Sequence, residues 1–540
     1  MNAPSIDYIA LSPLLIILGA AILGVLLEAL LPRASRYAAQ LGLAVAALAG
    51  ALLATCLLAG TSTTTAIGSL HIDGPALFAQ GTLLVLAALA LPALAERMPS
   101  GGLHAFTPQG SAVPGSSAER TADRASASHT EIFPMLLFSL GGMMILPAAG
   151  DLITLFIALE ILSLPLYVMC GLARHQRLLS HEAAVKYFLL GAFSSAILLY
   201  GIALIYGFAG TVDLTGIADA LATTDGTSLA LIGAGLLAVG LLFKISAAPF
   251  HSWTPDVYQG APTPLTGFMA ATTKVAAFIT LLRLTTIALP AIHDQWLTLL
   301  WTVAALTMAV GTLAAITQTD LKRMLAYSAI AHAGFLLTGV LAASPAGTAA
   351  TLFYLATYGA STIGAFTTLA LLRRHTGDAT ALAHWAGLGR RAPLLAAALA
   401  IYLLSFAGIP LTSGFIGKLT VFQAAATSGY LSIVVIGVLA SALAAIFYLR
   451  VITVLYLSGD EREPGDGGGD DGGDSEHGSG AGSESAHGRA ATAIVPPLAE
   501  IAPRPALYAV VGITAALAIA LGLLPGPLLV LAENAATFWR

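Results

Sequence analysis

The chain has 540 residues, of which 57% are hydrophobic and only 9% charged, with a formal net charge of −5. A soluble globular domain carries about 25% charged residues. This composition therefore excludes an ordinary water-soluble protein and points to a polytopic membrane protein, with the lipid bilayer as its surroundings and no nucleic acid as partner.

A helix needs about 20 apolar residues to cross the hydrocarbon core. In chain order, stretches of that kind lie at 9–31, 37–60, 75–95, 131–149, 151–172, 182–209, 228–250, 262–289, 297–317, 324–343, 347–372, 392–426, 431–457 and 506–532. They predict an all-α membrane fold of about fourteen transmembrane helices. Period-two alternation is absent, which argues against a barrel. The opening residues MNAPSIDYIA carry no basic region and no small-residue cleavage site follows, so the first run reads as a retained span. Cys56 and Cys170 sit singly in apolar runs and predict neither a disulfide framework nor a metal site.

Basic residues mark the sidedness. The loops after spans 1, 3, 5, 9, 11 and 13 hold Arg33, Arg97, Arg174, Lys322, Arg373, Arg462 and others, whereas the alternate loops hold none. Lysine and arginine collect on the cytoplasmic side, so both termini are expected on the outer side. Two inserts, 98–130 and 458–505, then fall inside. The second is rich in Gly, Asp and Ser and is expected to be disordered. Its His477 and His487 are weak metal-ligand evidence without a defined spacing. The expected organisation is spans 1–3 in 1–97, the loop 98–130, spans 4–8 in 131–289, spans 9–13 in 290–457, the acidic loop 458–505, and a last span in 506–540.

Six basic residues lie inside apolar segments: Lys186, Lys244, Lys274, Arg283, Lys418 and Arg450. Arg283 and Arg450 are near span ends and are expected to snorkel to the interface. The lysines differ. The chain has five, and four of them are intramembrane. Each costs at least ~2.5–3.5 kcal/mol at mid-bilayer. An ammonium can lose its proton when desolvated, while a guanidinium stays charged, so these lysines suggest groups that change protonation. Lys186 lies about one turn into its helix and could instead reach the interface. Glu160, in LFIALEILSLPLYV, is centred in span 5 and must be protonated or paired. Beside a lysine it would form a charge pair; alone it would only tie helices together. His332, in SAIAHAGFLL, could bridge two titrating groups or be a satisfied core histidine. Glu28 reads as interfacial and Asp151 as a helix cap.

Pro249 and Pro255 follow Lys244, and Pro410 precedes Lys418. Each is expected to break its helix and free carbonyls, which a membrane tolerates where they line a cavity or meet water. Discontinuous spans in corresponding positions of two halves mark an inverted-repeat transporter. Span 7 is fourth in spans 4–8 and span 12 is fourth in spans 9–13. Five helices per block make the second enter from the opposite side, so two inverted five-helix repeats are expected.

The stretch SAAPFHSWTPDVYQGAPTPLTGFMA resembles the hallmark of the antiporter-like membrane subunits of respiratory NADH:quinone oxidoreductase, complex I, a set related to the Mrp antiporters. TPDVYQGAPTP is similar to the form found in chain N of that set. ALEILSLPLYV, EAAVKYFLLGAFSSA, LKRMLAYSAIAHAGF and GIPLTSGFIGK match as well, so the resemblance covers essentially the whole chain. It implies a proton-translocating subunit of a bacterial inner-membrane enzyme, with neighbouring membrane chains as partners. It implies no cofactor in this chain; NADH, FMN, iron–sulfur clusters and quinone would belong to partner subunits. It also implies roles: Glu160 paired with Lys244, Lys186 beside that pair, Lys274 as central relay, His332 linking the halves, and Lys418 at the exit. The alternative is a Mrp-type sodium/proton antiporter subunit using the same lysines.

Overall fold

The computed structural model describes residues 6–96, 105–107, 109–113, 116–124, 129–224, 226–374, 377–457, 500–501 and 504–538. The expected disorder of 458–505, with His477 and His487, and much of the 98–130 insert lie outside the described residues. The chain opens with α1 (Ser12–Leu30), α2 (Arg33–Leu57), a hairpin of β1 (Thr63–Thr65) and β2 (Leu70–Ile72), and α3 (Gly74–Leu94). The short α4 (Ser117–Arg124) precedes α5 (Ile132–Ile145), α6 (Leu152–Cys170), α7 (Arg177–Ala209), α8 (Leu214–Thr223), α9 (Ser228–Lys244), α10 (Trp253–Gly260) and α11 (Thr263–Arg283). Then come α12 (His293–Ile316), α13 (Leu321–Leu341), α14 (Pro345–Leu371), α15 (Leu388–Arg391), α16 (Pro393–Ala407), α17 (Ser413–Thr427), α18 (Leu431–Leu457), α19 (Pro505–Leu523) and α20 (Gly526–Asn534).

Each apolar stretch singled out in the sequence contains a helix. Among the described residues, 10 helices are long and apolar enough to cross a membrane. The other expected spans are helical but shorter, broken or more polar: α5, the pairs α9–α10 and α16–α17, and α14, whose sequence is rich in Thr, Ser and Gly. The helix starts follow from unpaired first-turn N–H groups, which need acceptors. Asp73, Asp151, Asp213, Asp320 and Ser344 each accept one with a side-chain oxygen.

Helices α11 and α13 sit at the centre. Every residue of α11 is buried, and nearly all of α13 is. By contrast α1, α7 and α18 present large apolar side chains such as Leu23, Phe193 and Leu439 outward. Lipid is as apolar as leucine, so association relies on close packing of small residues. A Cβ placed on Gly201 of α7 would stand 2.7 Å from the Gly233 carbonyl of α9. The neighbour pattern in α5–α11 recurs in α12–α18. Helix α5 packs on α6 as α12 does on α13, α7 on the broken pair α9–α10 as α14 on α16–α17, and α11 returns to α5 as α18 does to α12.

Two interruptions matter for the site. Helix α9 stops at Lys244, Ser246 adopts φ +65°, and the chain turns through a cis Ala248–Pro249 bond before α10 begins at Trp253. Pro249 lies in this gap as expected from the sequence. Pro255 does not: it lies in the first turn of α10, where a missing N–H leaves no bond unmade. In the second interruption Gly408 has φ +80° and Leu411 φ +72°, with Pro410 between them and α17 resuming at Ser413. A left-handed residue at 408 favours glycine because it lacks a Cβ.

Candidate functional site: a file of buried amines

Lys244, Lys274, His332 and Lys418 are all inside the protein, each less than 5% exposed. None faces lipid. Four elements, α9, α11, α13 and α17, carry them, and the two helix interruptions supply carbonyl partners to Lys274 and Lys418.

Lys244 is the last residue of α9. Its Nζ donates to Ser163 Oγ at 2.7 Å and to the Tyr167 hydroxyl at 3.2 Å, both on α6. The Ser163 hydroxyl in turn donates to the Leu159 carbonyl one turn back. Aromatic rings close the pocket: Nζ lies 5.2 Å from the Tyr167 centroid and 5.6 Å from that of Tyr187. Trp253, the first residue of α10, stacks on Tyr187 at 4.6 Å and ties its indole N–H to the Phe243 carbonyl at 3.1 Å. The pocket thus depends on the chain reversing between α9 and α10. Gly191 makes room for it, since a Cβ there would overlap the Tyr167 hydroxyl.

The expected Glu160–Lys244 ion pair is not formed in this structure. Glu160 Oε1 is buried without a hydrogen-bond partner. Glu160, Ser163 and Tyr167 are spaced three and four residues apart and share one face of α6, and Lys244 is engaged lower on that face by the hydroxyls. Lys186 binds Asp256 Oδ2 and Glu182 Oε1, each at 2.6 Å, with its side chain 40% exposed, the interfacial placement the sequence offered as its alternative. Lys186 thus keeps both water and two anions, whereas the buried Lys244, Lys274 and Lys418 are held by hydroxyls and carbonyls.

Lys274, on α11, donates to the carbonyl of Ile245 at 3.0 Å and to that of Ala329 at 2.8 Å. The first belongs to the interruption after α9; the second lies on α13, three residues before His332. The imidazole of His332 makes contacts on both sides, Nδ1 to the Tyr354 hydroxyl at 2.7 Å and Nε2 to the Tyr448 hydroxyl at 3.3 Å. Tyr448 is also hydrogen-bonded to Ser328. Lys418, on α17, donates to the carbonyls of Phe406 and Ala407 at 2.8 and 3.0 Å and to Ser441 Oγ at 2.8 Å. Phe406 and Phe335 lie between His332 and Lys418, with centroids 5.5 and 5.6 Å from the imidazole.

The common design is an amine at the carboxyl end of an interrupted helix. The last carbonyls of a helix lack intrahelical donors and carry a partial negative charge. Lys274 and Lys418 each satisfy such carbonyls, one at each interruption. This compensates part of the cost of burying a cation without a carboxylate whose charge would hold the proton permanently.

Two charges assigned elsewhere by sequence, Arg283 and Lys322, are buried instead, and Arg450 is part-buried. Arg283 does not snorkel: it forms a buried ion pair with Asp73 at 2.6 Å and donates Nε to the Pro147 carbonyl at 2.7 Å. Arg450 caps the end of α12 through the carbonyls of Ile316, at 2.8 Å, and Gln318. Lys322, counted with a loop, is buried and donates to the Ala261 carbonyl at 2.7 Å. Glu28 pairs with Arg36 at 2.9 Å and accepts from Gln40 and Thr130, a part-buried junction of α1 and α2 with the chain entering α5.

A profile of the family described as NADH:quinone oxidoreductase/Mrp antiporter, TM, matches residues 149–444, which contain every group of the file. NADH-quinone oxidoreductase subunit N of Rhodococcus opacus is 56% identical over 476 residues, covering 84% of this chain and 88% of that one. The subunit of the same name from Mycobacterium tuberculosis is 52% identical over 529 residues, covering 94% and 98%. The chain belongs to the subunit N family of NADH-quinone oxidoreductase. Among solved structures, a chain of respiratory complex I from Thermus thermophilus with bound aureothin superposes with TM-score 0.73 at 31% identity, covering 96% of this chain and 99% of that one. The fold of a Mrp complex chain from Dietzia is also shared, with TM-score 0.76 at 22% identity. The subunit N family thus keeps an antiporter-like architecture, and this member is a multi-pass membrane protein.

Proposed function

We propose that this chain is a proton-translocating membrane subunit of a bacterial NADH:quinone oxidoreductase, moving protons through Lys244, Lys274, His332 and Lys418 while redox chemistry proceeds in partner subunits. Those partners would carry FMN, the iron–sulfur clusters and the quinone site; other membrane subunits would flank this chain in the inner membrane, with its termini outside. The observation that carries the reading is the file itself: three buried amines and one imidazole, held by hydroxyls of neighbouring helices and by carbonyls at two helix interruptions.

Glu160 acts as the control carboxylate. When Lys244 moves along α6 from Ser163 and Tyr167 toward Glu160, the pair holds the proton on the amine. When the pair opens, Lys244 gives its proton onward to Lys274. Its charge there repels the next, and His332 passes the proton between hydroxyls of Tyr354 and Tyr448 toward Lys418. Transfer between neighbours too far apart for a direct bond runs through water. Moving one proton against ~150 mV costs about 3.5 kcal/mol, and a close charge pair in a medium of low effective dielectric supplies interactions of that size. The packing recurrence of α5–α11 in α12–α18 supports two inverted repeats, one for each interruption.

The test is affinity purification of the tagged chain in mild detergent. Co-purification of flavin and iron–sulfur subunits with NADH-dependent quinone reduction is expected. Recovery only of antiporter-type membrane chains, with sodium-dependent proton exchange, would overturn the reading in favour of a Mrp-type antiporter.

A further inference from the structure

Asp256 lies on α10, the half-helix that follows the first interruption, outside the file. Its two carboxylate oxygens serve different elements. Oδ2 accepts from Lys186 of α7 at 2.6 Å, and Oδ1 accepts from Arg323 of α13 at 2.6 Å. Arg323 also donates to Gln259 Oε1 on α10 at 3.1 Å, and Lys322 beside it donates to the carbonyl of Ala261 just past the end of α10. At its other end α10 is fixed by Trp253, through the Phe243 carbonyl and the stack on Tyr187. Thus α10 touches the Lys244 pocket at one end. At the other it is bound to α13, the helix that carries His332 and offers the Ala329 carbonyl to Lys274.

We infer that Asp256 is a positioning residue, a clamp through which the half-helix α10 links the Lys244 pocket to α13. The inference rests on the proposed translocation. A carboxylate shared by two cations on two helices holds all three elements in one register. Removing its charge leaves Lys186 with Glu182 and leaves Arg323 with neutral partners such as Gln259, so α10 loses its ionic tie to α7 and keeps only uncharged acceptors for α13. Trp253 then loses its fixed position against Tyr187, and the opening of the Lys244 pocket no longer moves with α13. The groups are about one-third exposed, so salt screens each pair; the clamp acts by geometry more than by strength. The surrounding charges are Glu182, Lys186, Arg323 and Lys322, and none other among the described residues pairs with Asp256.

The experiment uses the intact complex purified through the tagged chain and sealed in vesicles, comparing wild type with Asp256→Asn, Asp256→Glu and Arg323→Gln. Two quantities are read: amide hydrogen exchange across Trp253–Gly260, and protons translocated per electron, with quinone reduction measured under uncoupler. Asp256→Asn and Arg323→Gln are expected to speed exchange in α10 by about tenfold or more. They are also expected to lower the proton yield at least about twofold while the uncoupled rate is retained. Asp256→Glu is expected to restore both. Unchanged exchange in α10, or faster exchange with an unchanged proton yield, overturns the clamp. So does a yield that stays constant while quinone reduction falls. If the chain brings down no redox subunits, the functional reading fails on that result alone, and the exchange measurement on the chain as purified still decides whether Asp256 holds α10.

Discussion

Lys274 donates to the carbonyl of Ile245, the residue that directly follows Lys244, at 3.0 Å. One ammonium therefore rests on the loose end of the helix that ends at the other. Loss of the proton from Lys274 turns a charge-assisted bond to that carbonyl into a weaker neutral one, and displacement of the Ile245 backbone moves Lys244. The two amines are coupled mechanically as well as by charge, which is what a sequential transfer between them requires.

In the proposed mechanism the hydroxyls of Ser163 and Tyr167, which hold Lys244 in this structure, compete with Glu160 for it. A hydrogen bond to a charged group contributes about 1.5–3 kcal/mol. Ser163→Ala is expected to shift Lys244 toward Glu160 by about tenfold or more in population. The carboxylate band of Glu160 in infrared difference spectra, assigned with Glu160→Gln, reports the shift; an unaltered band would show that Ser163 does not hold Lys244.

Gly191 admits the Tyr167 side chain. Gly191→Ala forces the ring aside and is expected to destabilise the α6–α7 packing by about 1–3 kcal/mol, the usual range for overpacking. Proton transfer should suffer with it, since Tyr167 leaves Lys244. Thermal unfolding of the purified chain together with the proton yield checks both effects, and a variant as stable and active as the parent contradicts the packing described.

The Asp73–Arg283 pair is buried on both sides. Removing one partner of such a pair strands a charge and typically costs 3 to 5 kcal/mol, of order. Arg283→Ala is expected to lower the unfolding midpoint strongly, and Asp73→Ala additionally removes the cap that accepts from Ala76 N. Replacing both with apolar residues should recover much of the loss. Midpoints measured in one detergent decide it.

Much of this was legible in the residues. The spans follow from apolar length, and Lys244, Lys274 and Lys418 stood out because a cation in hydrocarbon is costly enough to need a reason. Pro249 and Pro410 marked the interruptions, and Asp151 caps α6 as its position before an apolar run suggests. What remained hidden depends on contacts far apart in the chain. Asp73 reads as a loop residue and Arg283 as a span-end residue; only folding brings them together across 210 positions. Lys322 looks solvated beside Arg323, yet its stem runs inward to a carbonyl in the turn after α10. Asp256 is a lone acid inside TPDVYQG, three residues after the start of α10 at Trp253, and its cations come from α7 and α13. Glu160 has the right depth for Lys244, and depth along a helix does not say which of several groups on one face the amine chooses.

The central claim is that buried amines carry protons in step with quinone reduction. Its most direct test is the number of protons translocated per electron by vesicles holding the complex with Lys274→Ala, with assembly verified and quinone reduction measured under uncoupler. The account predicts a lower proton yield per electron while the uncoupled rate is kept. A yield equal to that of the parent complex would contradict it.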